Sequence, residues 1–245
     1  MLRSQTIDKL NQMKLFGMVQ ALEEQLAATE TAALPFEERL GMLVDREVDY
    51  RANKRLTRLL KEAKLKQPSC VEEVDFRHPR GLDRSSFFSL AECRWILDHH
   101  NLIITGPTGV GKSFISCALG NKACRLGYTV RYWRTSRFLQ TVAVARLDGS
   151  YPTLIHRLQK TELLLLDDWG ISPFQVEEAR DLLDIVEDRN QSRSTLITSQ
   201  LPISQWHDVF ADPTLADAIL DRLVHNAYKL ELRGDSMRKL MYDLD

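Results

Sequence analysis

The stretch Gly106-Pro107-Thr108-Gly109-Val110-Gly111-Lys112-Ser113 constrains this chain more than any other, because it fits G-x-x-x-x-G-K-[ST] and has the flanks that pattern requires. Leu102-Ile103-Ile104 before it is an apolar β-type run, and Phe114 to Leu126 after it reads as a helix. A strand that turns through glycines into a helix aims successive backbone N–H groups at one point, where the positive end of the helix dipole also lies. That point suits phosphate. Gly106, Pro107, Thr108, Gly109, Val110 and Gly111 would wrap the oxygens, Lys112 would reach the β and γ phosphates, and the Ser113 hydroxyl is the expected protein ligand for Mg²⁺. ATP with Mg²⁺ is the expected pair of ligands.

A phosphate loop of this kind needs a parallel sheet behind it. Apolar β-rich runs recur between helical segments at Leu102 to Thr105, Thr129 to Trp133, Leu163 to Leu166, Thr195 to Thr198 and Tyr228 to Leu232. The alternation predicts a five-stranded parallel α/β sheet sandwiched by helices. Leu163-Leu164-Leu165-Leu166-Asp167-Asp168-Trp169-Gly170 is a buried strand that delivers a carboxylate from its C-terminal end, the Walker B pattern. Asp167 is expected in the magnesium shell, and Asp168 is the expected residue to orient and deprotonate an attacking water. An acidic residue directly after Asp167 favours water over another phosphoryl acceptor, so hydrolysis is expected ahead of small-molecule kinase chemistry. Gln200, just past the run Thr195 to Thr198, is the candidate sensor of the γ-phosphate. Arg222 and Arg238 each offer a guanidinium to phosphate, and one supplied by a neighbouring subunit would make hydrolysis depend on assembly.

The part before the sheet has a different character. Ile7, Leu10, Met13, Leu15, Met18, Val19, Leu22 and Leu26 recur at helical steps from Thr6 to about Ala28, weakened only by Gly17. Phe36 to about Lys66 resumes the pattern, and Gln67-Pro68-Ser69 breaks it. The expected division is a small all-helical domain over 1–66, a linker and lead-in over 67–98, and the nucleotide-binding domain over 99–245. Net charge is only −1, but Arg51 to Lys66 carries seven Lys or Arg against Glu62. Arg51, Lys54, Arg55, Arg58 and Lys61 fall on one helical stripe, which could neutralise phosphates of duplex DNA without reading sequence. Arg77, Arg80 and Arg84 would extend that surface. No aromatic residue is interleaved with these cations, which favours duplex over single strands.

With hydrophobic residues at 44% and charged residues at 27%, a wholly disordered or fibrous chain is excluded. The N-terminus MLRSQTIDKLNQ lacks an apolar run with a cleavage site, and no long apolar window exists, so a cytoplasmic location away from membrane is expected. Cys70, Cys93, Cys117 and Cys124 match neither a zinc clip nor a disulfide framework and are expected as free thiols. Trp95, Tyr128, Tyr132 and Trp133 read as core and strand-packing aromatics.

GPTGVGKS, LLLLDDWG, TSQLP, DRLVHNAYKLEL and GDSMR, in that order and spacing, resemble the AAA+ ATPases of the IstB and DnaC-like group over about residues 70–245. The helical front is similar to IstB-like chains in particular. Asp167-Asp168 and Ser199-Gln200 look more like IstB-like proteins than the helicase loaders, which usually show Asp-Glu and Ser-Asn. The resemblance implies a helper ATPase of an insertion sequence that binds DNA, forms a homo-oligomer with ATP and works with a cognate transposase. A helicase loader is the alternative. The short stretch from Arg233 to Asp245 implies a reduced lid, which leaves the second-sensor role of Arg238 open.

Overall fold

The five apolar runs form one parallel sheet in a computed structural model, which describes residues 2–28 and 30–237. In chain order the elements are α1 (Leu2–Gln12), α2 (Phe16–Ala27), α3 (Phe36–Ala63), α4 (Arg84–Ala91), α5 (Arg94–Leu97), β1 (Asn101–Thr105), α6 (Lys112–Arg125), β2 (Val130–Arg134), α7 (Thr135–Asp148), α8 (Tyr151–Lys160), β3 (Leu163–Trp169), α9 (Val176–Arg189), β4 (Ser194–Ser199), α10 (Pro213–Val224) and β5 (Ala227–Glu231). By packing, the chain divides into Met1–Arg58 and Leu59–Asp245.

In the larger unit the strand order is β2-β3-β4-β1-β5, parallel throughout. Parallel neighbours cannot be joined by tight turns, so helices or longer connections return the chain after each strand and cover the sheet. β1 and β4 are buried along their whole length and β3 almost so, which is why their sequences are continuous apolar runs without alternation. β1 lies inside the sheet, between β4 and the edge strand β5, so the loop that follows it opens among neighbouring strand tips. Helix α6, which starts at that loop, buries Ile115, Cys117, Ala118, Leu119, Ala123 and Cys124. Below the end of β3, the rings of Trp169, Phe174, Trp206 and Phe210 pack with centroids 4.8–6.2 Å apart and fix the height of that strand tip.

The strands begin and end within a residue or two of the expected runs, except that β3 continues past Leu166 to Trp169. The helical front differs more. Where the spacing predicts one helix from Thr6 to Ala28, the structure has α1 and α2, separated at Lys14, whose φ is +58°. Gly17, in the first turn of α2, lies against α3. A Cβ there would stand 2.6 Å from the Arg46 carbonyl oxygen and 2.7 Å from the Glu47 Cα, so the glycine allows α2 to press against α3. Glu47 then accepts the N–H groups of Gly17 at 2.7 Å and Met18 at 3.2 Å, satisfying first-turn donors that Leu15 does not cap with its side chain. Helix α3 stops at Ala63, short of Lys66, and Lys64 turns the chain with φ +51°.

Cys70, Cys93, Cys117 and Cys124 are free thiols, all but Cys70 buried. Among the described residues no helix is long and apolar enough to cross a membrane.

Candidate nucleotide-binding site

The site is built where β1, β3 and β4 end. Gly111 has φ +97° and precedes the first turn of α6; a Cβ on it would also lie 2.6 Å from Nη1 of Arg80. Arg80 supports the phosphate loop from behind: Nη1 donates to the Val110 carbonyl at 3.0 Å and Nη2 to the Asp75 carbonyl at 2.7 Å. The Gly106 N–H donates to the Ser199 carbonyl at 3.2 Å, tying the loop to the end of β4. On the far side, the Met237 N–H donates to the Gly109 carbonyl at 3.0 Å, so the chain leaving β5 lies along the loop. Lys112 is buried, and its Nζ donates to the Gly106 and Pro107 carbonyls at 2.6 and 2.8 Å, inside the curve of the loop.

Asp167 meets this loop from β3. Its side chain is 1% exposed and accepts hydrogen bonds from four directions. The Ser113 hydroxyl lies 2.9 Å from both Oδ1 and Oδ2, Thr198 Oγ1 donates to Oδ1 at 2.5 Å, Tyr132 OH donates to Oδ2 at 2.6 Å, and Lys66 Nζ lies 3.1 Å from Oδ2. Burial works to raise the Asp167 carboxyl; the Thr198 and Tyr132 hydrogen bonds, the Lys66 charge and the Ser113 hydroxyl outweigh it and hold it below its ordinary value. Burial, reinforced by the carboxylate, pushes the Tyr132 phenol up, so it remains a donor. The Ser113 hydroxyl and a buried ionised carboxylate side by side are the hard oxygen donors that Mg²⁺ prefers, so this pair fits the metal.

The register of β3 changes at this point. Leu166 pairs with Ile197 but Trp169 pairs with Ser199, so three steps on β3 oppose two on β4. This bulge sits at Asp167 and Asp168, and Asp168 takes φ +64°. Bulges re-aim side chains next to functional sites, and here two consecutive carboxylates are placed at one strand tip without strict alternation. The Asp168 N–H donates to Thr198 Oγ1 at 3.2 Å, and its carboxylate is held by Arg134, with Nη2 at 2.9 Å and Nε at 3.0 Å.

The structure thus brings Lys112, Ser113, Asp167 and the Gly106-to-Gly111 loop together. Gln200 is exposed just beyond the end of β4, next to Ser199, whose hydroxyl donates to the Trp169 carbonyl at 2.8 Å. Arg222, on α10, forms an ion pair with Glu187 and donates to the Ala218 carbonyl at 2.8 Å; among the described residues its bonds are to these groups and not to the phosphate loop. Arg238 lies outside the described residues. Arg51, Lys54, Arg55, Arg58 and Lys61 are all exposed on α3. Arg51 is 2.7 Å from Glu47, and Lys54 stands over the rings of Phe16 and Tyr50 at 5.5 and 5.9 Å.

Of three arginines expected on a basic surface, Arg80 is withdrawn while Arg77 and Arg84 stay exposed. Arg80 is buried behind the phosphate loop, Arg77 is clasped by Asp75 through two hydrogen bonds of 3.0 Å, and Arg84 stands over Phe76 and Phe88. Tyr132 is more than a packing aromatic, since its hydroxyl fixes Asp167. Tyr132, Thr198, Arg134 and Lys66 are members of the site that sequence reasoning missed. The motif flanks held one usable signal, because Tyr132 and Thr198 lie on the strands either side of β3 near its carboxylate end.

The chain matches the model of the IstB-like ATP binding protein family over residues 8–242. It is 48% identical over 239 residues to the insertion sequence ATP-binding protein y4pL of Sinorhizobium fredii, covering 98% of both chains. Among solved structures, AMPPCP-bound DnaA from Aquifex aeolicus is similar with a TM-score of 0.58 at 19% identity, over 74% of this chain and 57% of that one. The DnaC helicase loader is similar with a TM-score of 0.52 at 15% identity, over 64% of this chain and 94% of that one. These two likenesses concern the fold, whose parallel sheet and phosphate loop are of the AAA+ type. A family match across nearly the whole length, a full-length relative at 48% identity and an intact phosphate loop place this chain in the IstB-like ATP-binding protein family.

Proposed function

We propose that the chain is a Mg²⁺-dependent ATPase that assembles as a homo-oligomer on duplex DNA and assists the cognate transposase of an insertion sequence. The observation that carries the nucleotide half is the 2.9 Å contact between Ser113 and Asp167, which joins the phosphate loop after β1 to a buried carboxylate on β3, across the intervening β4. Lys112 would exchange its loop carbonyls for the β and γ phosphates, an exchange of neutral for charged acceptors that strengthens its bonds. Magnesium, when bound, neutralises phosphate charge and polarises the transferred group. Asp168 would orient and deprotonate the water, turning away from Arg134 to do so, and Gln200 would report on the γ-phosphate.

The assembly half rests on chemistry and kinship. Arg222 would complete a neighbour's site by giving up Glu187 for phosphate, with Arg238 as a second guanidinium. Residues 1–66 would carry DNA contact through Arg51, Lys54, Arg55, Arg58 and Lys61, with 67–98 linking them to the nucleotide domain at 99–245. An insertion sequence is named in the relative quoted above, which supports a transposase as partner and the cytoplasm as the place of action.

Sizing by analytical ultracentrifugation on duplex DNA, with ATP or a slowly hydrolysed analogue, tests the scheme. Nucleotide-dependent oligomers on duplex are expected, together with stimulated strand transfer when the transposase is added. A monomer under every condition would overturn it.

A further inference from the structure

Lys66 stands at the one place in the site where a metal is also expected. Its Nζ lies 3.1 Å from Oδ2 of Asp167 and 3.3 Å from Oγ of Ser113, the two groups whose oxygens fit Mg²⁺. The other donors to Asp167 come from rigid elements: Ser113 from the first turn of α6, Tyr132 from β2 and Thr198 from β4. Lys66 alone among the described donors arrives from a connecting segment, which begins where Lys64 ends α3. That segment is seated on α6. A Cβ on Gly120 would lie 3.0 Å from Leu65 Cδ2, and Ser69 Oγ donates to the Phe114 carbonyl at 3.1 Å.

We infer that Lys66 is a tethered cation that competes with Mg²⁺ for Asp167 and Ser113, so that Mg–nucleotide binding releases the segment following α3. This rests on the proposed nucleotide site. A buried carboxylate needs a counter-charge, and Lys66 supplies one through a side chain that is 37% exposed and so free to leave toward water. Two cations cannot share one carboxylate without repelling each other, and the divalent ion is the stronger partner for oxygen. The ammonium therefore holds Asp167 aligned, then yields its place. Because it is carried by residues directly continuous with α3, nucleotide occupancy is transmitted first to the backbone of 64–67.

The test uses the full chain, a fluorescent ADP titrated at fixed Mg²⁺ concentrations, and hydrogen exchange of the amides over 64–69. Lys66→Met keeps the stem and removes the charge; it is expected to lower the Mg²⁺ concentration for half-maximal nucleotide binding by about threefold to tenfold. Lys66→Arg should stay close to the wild type. In the wild type, exchange over 64–67 should rise when Mg–ADP is added, a readout that needs no variant. If Lys66→Met weakens Mg–ADP binding, Lys66 is a phosphate ligand and the inference falls; an unchanged Mg²⁺ dependence or unchanged exchange overturns it equally. Wild-type protein that binds no Mg–ADP at all would overturn the nucleotide site itself, and this inference with it.

Discussion

Tyr132 on β2 donates a 2.6 Å hydrogen bond to Asp167 at the tip of β3, so the carboxylate expected at the metal is positioned by the neighbouring strand. Tyr132→Phe removes that one donor and keeps the ring. Groups that orient a metal ligand typically change metal affinity or activity by about 10-fold to 100-fold. Hydrolysis by Tyr132→Phe is therefore expected to fall about tenfold and to need more Mg²⁺, with nucleotide binding in EDTA unaltered. Phosphate release across a Mg²⁺ series, beside a metal-free titration, measures both. An unshifted Mg²⁺ requirement would show that the hydroxyl serves packing alone.

Asp168 and Arg134 can be separated by their opposite expected effects. Asp168→Asn removes the proposed base and should slow hydrolysis by about 100-fold or more while ATP still binds. Arg134→Ala frees the carboxylate from its 2.9 Å ion pair, and basal hydrolysis is expected to rise by about threefold, the size of a part-exposed pair. Single-turnover phosphate release distinguishes the two variants. Comparable loss in both would mean that Arg134 acts on phosphate and not as a restraint on Asp168.

The legible part of this molecule was the part whose chemistry is local in sequence. Eight consecutive residues specify the phosphate loop, and four leucines announce a buried strand ending in Asp167. The bonds that cross between elements left no such trace. Nothing in the string predicts that Lys66 folds back 101 residues to Asp167, or that Arg80 turns inward to Val110. Proline at 68 signalled a helix end, yet the turn comes earlier at Lys64, and those few residues decide whether Lys66 points to solvent or to the site. The approach of Gly17 to Arg46 and Glu47, far along the chain, is another such contact between elements.

Charge reversal on α3 tests the proposed DNA contact. Arg55→Glu with Arg58→Glu should weaken duplex binding and lower the slope of log affinity against log salt by about two units, since each neutralised phosphate contributes about 0.9. ADP affinity should be unchanged. Fluorescence anisotropy from low to moderate salt reads the slope, and the nucleotide titration reads the rest. Equal loss of both activities would contradict the division of labour between helical front and nucleotide domain.

Acid sensitivity of the helical unit should trace to Glu47, which accepts the N–H groups of Gly17 and Met18 and pairs with Arg51 at 2.7 Å. Burial alone would raise this carboxyl, but the Arg51 hydrogen bond, the two backbone N–H groups and the Arg51 charge outweigh it, and its pKa lies below the ordinary value. A carboxyl with a lower pKa folded than unfolded stabilises fully above the unfolded value of about 4.3, and that stabilisation is lost as pH falls through the lower native value. Glu47→Ala strands two first-turn donors against α3 and should cost about 2–3 kcal/mol at neutral pH. Glu47→Gln can still accept from the backbone but cannot ionise, so it should cost less and flatten the dependence of melting temperature on pH once pH falls below the unfolded value. Thermal melts of the full chain followed by helical circular dichroism make the comparison, and a Glu47→Gln profile parallel to the wild type would assign the acid sensitivity to other carboxylates.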